Sequence, residues 1–184
     1  METRGFANTD KTALRIRLKG IRMTQERIIE ASRRIRDKVL ADKRFLDAET
    51  IFCYISMPGE ADTSDIISAA LRLGKRVCVP RISGPGQMKA VQIQEDSVLK
   101  PGPYGIPEPE DGLPEVNKAD IDLAIVPCLG ASADGNRLGH GGGYYDRYLQ
   151  DCNAVKLCLC FRERMLDGIP MDKFDIKMDG IIYG

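Results

Sequence analysis

The chain has 184 residues, a length that suits one ordinary domain. Hydrophobic residues make up 43% and charged residues 29%, near the averages of folded soluble chains, which argues against disorder and fibrous repeats. Lys plus Arg and Asp plus Glu both total 27, so the strong global field of a dedicated nucleic-acid binder is absent.

In chain order, the start "METRGFANTDKTALR" has no continuous apolar stretch, and no later run approaches the roughly 18 apolar residues that cross a bilayer. A cytoplasmic protein with no membrane association is expected. Residues 10–19 read as a short helix entered through Thr9 or Asp10, with Leu14 and Leu18 on one side and Lys11 and Arg15 sharing another. A longer helix is predicted over 24–40, where Ile28, Ala31, Ile35 and Val39 recur at spacings of three and four and the opposite face is rich in arginine. Residues 1–45 therefore form a basic helical segment expected to pack on the remainder of a single domain spanning 1–184.

From residue 50 the pattern alternates. "TIFCYIS" reads as a buried strand, "DTSDIISAALRLG" as a helix and "RVCVP" as a second strand, which together make a βαβ unit with parallel strands. "QMKAVQIQ" suggests a further strand, and residues 96–118, crowded with proline and glycine, read as a long irregular segment. "IDLAIVP", "AVKLCLCF" and "DGIIYG" complete the strands, with the stretch 134–147 between them as loop and helix start. Strands that are apolar throughout belong in a sheet covered on both faces, so the predicted fold is α/β: three layers, a mostly parallel sheet with helices on either side. Four of the cysteines (Cys53, Cys78, Cys158, Cys160) fall inside these strands, where thiols act as small hydrophobes. With no C-x-x-C spacing and a single histidine, a Cys/His zinc site is disfavoured.

The chemistry concentrates in "DGNRLGHGGGYYDR". Its glycines permit positive φ and leave backbone N–H groups bare, which suits an anion, above all a phosphate. Arg137 adds a planar fork for phosphate oxygens, and a helix starting near Gly143 would present its positive end to the same spot. Asp146, one turn further on, is placed to meet the Mg²⁺ that accompanies a nucleoside triphosphate, or to serve the helix dipole. The run matches neither the Walker nor the dinucleotide fingerprint, and on glycine content alone a flexible turn is an equal reading. His140 reads as a loop or contact residue rather than a general base. Glu60, just past the first strand, can accept hydrogen bonds from ligand N–H groups in the crevice, or simply sit at the start of the next helix.

Taken together, "KTALR", "YISMPGEADT", "GKRVCVPR", "YGIPEPED", "IDLAIVP", "GNRLGHGGGYYDRYL" and "IPMDKFDIKMDGII" resemble, in this order and over nearly the whole chain, the 5-formyltetrahydrofolate cyclo-ligase family. The resemblance implies a cyclo-ligase that uses MgATP to close 5-formyltetrahydrofolate to 5,10-methenyltetrahydrofolate, releasing ADP and phosphate through a phosphorylated formyl intermediate. It implies two small-molecule partners, ATP and a reduced folate, and a monomer with no nucleic acid. Matched to this chain, the nucleotide site comprises Lys11, Arg15, Arg137, Leu138, Gly139, His140, Gly141, Gly142, Gly143, Tyr144 and Tyr145. The folate site comprises Ile55, Glu60, His140 and Tyr144, and Asp146 and Asp175 are the metal candidates.

The chain departs from the family pattern in three places. Ala131 and Ser132 stand where an aromatic and an acid are common, His140 where Tyr or Arg is frequent, and Arg164 where Gln follows "FRE". The first departure points to altered folate packing, and it motivates an alternative, an ATP-using relative with another acceptor. A third reading, polyanion binding by the arginine-rich N-terminal segment, lacks interleaved aromatics.

Overall fold

A computed structural model of the protein describes residues 10–184. Helix α1 (Lys11–Lys19) is capped by the Asp10 carboxylate, which accepts from the Thr12 N–H. Thr9, the other expected cap, lies outside the described residues. Thr24 caps α2 (Gln25–Ala41) by accepting from the Arg27 N–H. Asp42 then ends α2 and starts α3 (Lys43–Asp47), a short helix with no periodic signal of its own; its one buried residue, Phe45, carries it.

The βαβ unit is present as β1 (Thr50–Cys53), α4 (Ser64–Arg72) and β2 (Arg76–Gly84), followed by β3 (Gln87–Ile93). Strand β1 is shorter than the apolar run: the Tyr54 N–H still donates to the Ile125 carbonyl, but the Tyr54 carbonyl accepts from the Thr63 hydroxyl and its own hydroxyl donates to the Ala61 carbonyl, both at 2.7 Å. The proline-rich segment differs from its expected irregularity. Strands β4 (Leu99–Pro101) and β5 (Pro107–Pro109) form an antiparallel pair, and β6 (Glu115–Val116) edges the main sheet. A two-stranded ladder is all edge, so prolines cost it few hydrogen bonds. The Glu108 carboxylate accepts from the Ile82 N–H at 3.1 Å and pins β5 to β2.

Strands β7 (Leu123–Pro127), β10 (Val155–Cys160) and β12 (Gly180–Tyr183) follow, with α5 (Tyr144–Leu149) between β7 and β10. The sheet order is β12-β10-β7-β1-β2-β3-β6. The first five strands are parallel, and β3 and β6 add an antiparallel edge. Alternate side chains go to opposite faces. Ile51, Val77, Leu123, Ile125 and Leu157 meet α2, α3 and α4 on one side, while Phe52, Cys78, Ala124, Val126 and Cys158 meet α5 on the other. Each fully buried large aliphatic contributes about 1.5–3 kcal/mol relative to exposure, so the strands rather than helix propensity dominate stability. Among the described residues the second face is covered by the six-residue α5 and the coil around it.

A second, three-stranded sheet was not foreseen: β8 (Gly130–Ser132) between β9 (Arg137–Leu138) and β11 (Met165–Leu166). It turns the chain back after β7, so the glycine-rich stretch leaves from β9 rather than directly from the central strand. Leu14 and Leu18 of α1 pack against Leu129, Leu138 and Ile169 beside this small sheet. That contact turns the Lys11–Arg15 face of α1 away from the core. Among the described residues no helix is long and apolar enough to cross a membrane.

Candidate functional site

Every candidate nucleotide, folate and metal residue named from the sequence lines one cleft of about 950 Å³, although they come from α1, the segment after β1, the β9–α5 loop and the C-terminal coil. The cleft opens where β1 and β7 end, the side on which parallel sheets bind ligands. One wall is the glycine loop. Gly141 and Gly143 have φ of +108° and +66°, values that an L side chain rarely adopts. Among the described residues, the backbone N–H groups of His140 through Tyr145 donate to no protein acceptor. The amides at the start of α5 are unpaired because no helical turn precedes them.

Above this loop lies the cationic face of α1. The Arg15 Nε donates to the Gly139 carbonyl at 3.0 Å, fixing the guanidinium against the loop. The Lys11 Nζ bonds Asp172 at 2.7 Å and also Asp175. Burial alone would lower the Lys11 pKa, but these two carboxylates outweigh it and hold the ammonium above its ordinary value. Below the loop sits Arg137, whose side chain is 4% exposed and donates to Asp146 at 2.8 Å and to the Pro127 carbonyl at 3.2 Å. Its Nε has no acceptor. Strand β9 thus carries the guanidinium into the protein, where it neutralises a carboxylate and ties α5 to β7 while still lining the cleft.

The opposite wall is the turn after β1. The Glu60 Oε2 accepts from the Met57 N–H at 2.9 Å, and Oε1 lies 3.3 Å from the His140 Nε2, so the chain's one histidine joins the two walls. Ile55 flanks Glu60. Tyr145 is half-buried against both cores, and burial pushes its hydroxyl well above the ordinary tyrosine range. Tyr144 is at the rim, its hydroxyl 3.1 Å from that of Tyr104 at the tip of the β4–β5 hairpin. Leu138 is 1% exposed and packs with α1, so only its backbone can meet a ligand.

Asp146 and Asp175 both reach the cleft, each with one oxygen already held by a cation. Among the described residues no group of three or more His, Cys, Asp or Glu forms a metal cage. Two carboxylates with one oxygen engaged suit an Mg²⁺ that arrives on polyphosphate, since this ion keeps much of its shell from phosphate and water.

Sequence reasoning missed Lys19, Tyr104 and Asp172, which also line the cleft, and it noted Arg164 only as a departure without placing it there. Lys19 continues the series Lys11, Arg15 at a spacing of four and was legible by extension. Tyr104 carries no local signal. Conversely, Ala131 and Ser132 are fully buried in β8 and lie outside the cleft lining, so these departures change packing of the small sheet and not the contacts of a ligand.

The model of the 5-formyltetrahydrofolate cyclo-ligase family matches residues 7–184. The 5-formyltetrahydrofolate cyclo-ligase of Mus musculus is 32% identical over 96% of this chain and 94% of its own length. That of Escherichia coli K12 is 26% identical over 87% and 91%. Among solved structures, 5,10-methenyltetrahydrofolate synthetase from Aquifex aeolicus superposes with a TM-score of 0.83 at 26% identity, covering 94% of this chain and 88% of that one. The Mycoplasma pneumoniae 5,10-methenyltetrahydrofolate synthetase shares the fold, with a TM-score of 0.76 at 22% identity over 95% and 99% of the two chains. The small sheet, the glycine loop and the cleft between them are thus features of a chain that belongs to the 5-formyltetrahydrofolate cyclo-ligase family.

Proposed function

We propose that the protein closes 5-formyltetrahydrofolate to 5,10-methenyltetrahydrofolate at the expense of ATP, releasing ADP and phosphate. One observation supports this above the others: unpaired loop amides and fixed cations face a carboxylate across a single cleft. The amides of His140–Tyr145, with Arg15 and Lys11 over them, suit the negative oxygens of a triphosphate. Glu60, opposite, suits the N–H groups of a reduced pterin, with Ile55 against the ring and Tyr144 at its edge.

The chemistry asks mainly for placement. A formyl oxygen is a poor leaving group, and transfer of the γ-phosphoryl to it makes the formyl carbon electrophilic. The neighbouring ring-side nitrogen then attacks that carbon and phosphate departs. The protein's part is to align the two substrates and hold charge as it develops, and no general acid or base is assigned. Mg²⁺, bound with the nucleotide, would neutralise the transferring phosphoryl group. Asp146 and Asp175 are the residues that would hold it, and Arg137 fixes the orientation of Asp146. The same reading has the protein acting on small molecules in the cytoplasm as a monomer.

The test is steady-state turnover with 5-formyltetrahydrofolate, followed by absorbance of the methenyl product with and without ATP. Formation of product only in the presence of ATP is expected; ATP binding without product would favour a different acceptor. The alternative acceptor loses its motive with Ala131 and Ser132 buried away from the cleft. Of the five arginines that the polyanion reading uses (Arg17, Arg22, Arg33, Arg34 and Arg36), Arg34 pairs with Glu30 and Arg36 with Asp37 and Asp65, which weakens that reading in part.

A further inference from the structure

Residues Met57 to Glu60 line the cleft on one side and a second cavity of about 570 Å³ on the other, bounded by α2 residues such as Ile29 and Arg33. A turn between two cavities gains little from packing, so its place depends on polar links. Two of these are internal: the Glu60 N–H donates to the Met57 carbonyl at 3.0 Å, and the Met57 N–H donates to the Glu60 Oε2 at 2.9 Å. They fix the shape of the turn but not its position against the sheet. Its flanks are tied down where the Tyr54 hydroxyl donates to the Ala61 carbonyl and the Thr63 hydroxyl donates to the Tyr54 carbonyl, both at 2.7 Å.

The tip is tied from far along the chain. The Arg164 Nη1 donates to the Gly59 carbonyl at 2.8 Å, across 105 positions of sequence. Gly59 has a φ of +88°, and this backbone turns its carbonyl toward the guanidinium. Arg164 is itself held. It ends a short 3₁₀ turn, its N–H donates to the Phe161 carbonyl at 2.9 Å, and its guanidinium lies 5.7 Å from the centre of the Phe161 ring. Its Nε is shut off from solvent without an acceptor, a cost that packing alone does not explain. The other outside link of the turn, His140 to Glu60, is an ion pair only when the imidazole is protonated.

We propose that Arg164 is a positioning residue: by holding the Gly59 carbonyl it fixes the Met57–Glu60 turn between the two cavities and so sets where the Glu60 carboxylate meets the acceptor substrate. The inference rests on the reading of Glu60 as the acceptor-binding group. Among the described residues Arg164 makes no hydrogen bond to the glycine loop or to Asp146, so its influence is expected on one substrate.

Two measurements on Arg164→Ala and Arg164→Gln decide it. In hydrogen exchange without ligand, the amides of Met57 and Glu60 should exchange about tenfold faster or more in Arg164→Ala, the effect of losing a charge-assisted hydrogen bond. Arg164→Gln, whose amide can still donate to Gly59, should recover part of the protection. In kinetics, the KM for 5-formyltetrahydrofolate should rise about tenfold in Arg164→Ala while the KM for ATP stays within about twofold. Unchanged exchange at 57–60, or both KM values rising together, would overturn the proposal. If the wild-type protein makes no methenyl product, the functional reading fails, and exchange by itself then decides whether Arg164 holds the turn. Should Arg164→Ala not fold, Arg164→Lys keeps the charge without the planar fork and serves in its place.

Discussion

The two walls of the cleft are built in opposite ways. The glycine loop offers bare donors, held open by positive-φ glycines and braced from both sides by arginines. The Met57–Glu60 turn offers an acceptor, closed on itself and braced from a distance by Arg164, with His140 reaching Glu60 from the opposite wall. On the proposed reading the first wall would meet its ligand through main-chain atoms, and the second through a side chain whose position is set by others. Damage to the loop should therefore be felt by the nucleotide and by stability, and damage to the turn mainly by the acceptor.

The largest effect expected is from Arg137→Ala. It strips the loop of its lower brace and leaves Asp146 without its counter-ion, so kcat/KM should fall about 100-fold or more and stability by about 3 kcal/mol. Denaturant melts beside steady-state assays would show both losses; a kinetic defect with unaltered stability would make Arg137 a ligand residue alone. Next, Gly141→Ala forces a side chain onto a backbone at +108° beside the Arg15 guanidinium. The strain, about 1–3 kcal/mol, should appear as an ATP KM raised about tenfold with folate binding kept. Equal damage to both substrates would erase the distinction between the walls.

Glu60→Gln is expected to raise the folate KM about five- to tenfold and leave ATP unaffected, since one carbonyl can still take the Met57 N–H but the charged acceptor is lost. A change confined to ATP would reverse the assignment. The smallest effect belongs to the core. All six cysteines are unpaired and buried, and burial holds the Cys78 thiol up at about 12, so native protein at pH 8 should resist alkylation. The sign at high pH follows: the unfolded thiol ionises near 9 while the folded one stays neutral, so this contribution is intact below 9 and is lost as pH rises toward 12. Rapid labelling at pH 8 would show that the sheet opens more readily than its packing implies.

The parallel core was legible because its signal is local. A run such as "IDLAIVP" has no polar face to turn outward, and the spacing of Ile28, Ala31, Ile35 and Val39 leaves one face to bury. The glycine loop announced itself for the same reason, with donors and charges adjacent in sequence. What the sequence did not disclose are pairings made by the fold. Arg164 meets Gly59 across the sheet, Lys11 meets Asp172 from the far end of the chain, and Tyr104 reaches Tyr144 through a hairpin that composition alone presents as coil. Residue type revealed the charge of Arg137 but not the depth at which β9 delivers it, nor its pairing with Asp146.

The bond from Glu108 to the Ile82 amide has a mechanical corollary. It anchors the foot of the β4–β5 arm to a central-sheet strand while the fingertip, with Tyr104 70% exposed and at φ +60°, hangs over the rim. Any flexing of that arm must pivot above the anchor, near Gly102 and Ile106, so it can sweep the mouth of the cavity without disturbing the strands that form its floor.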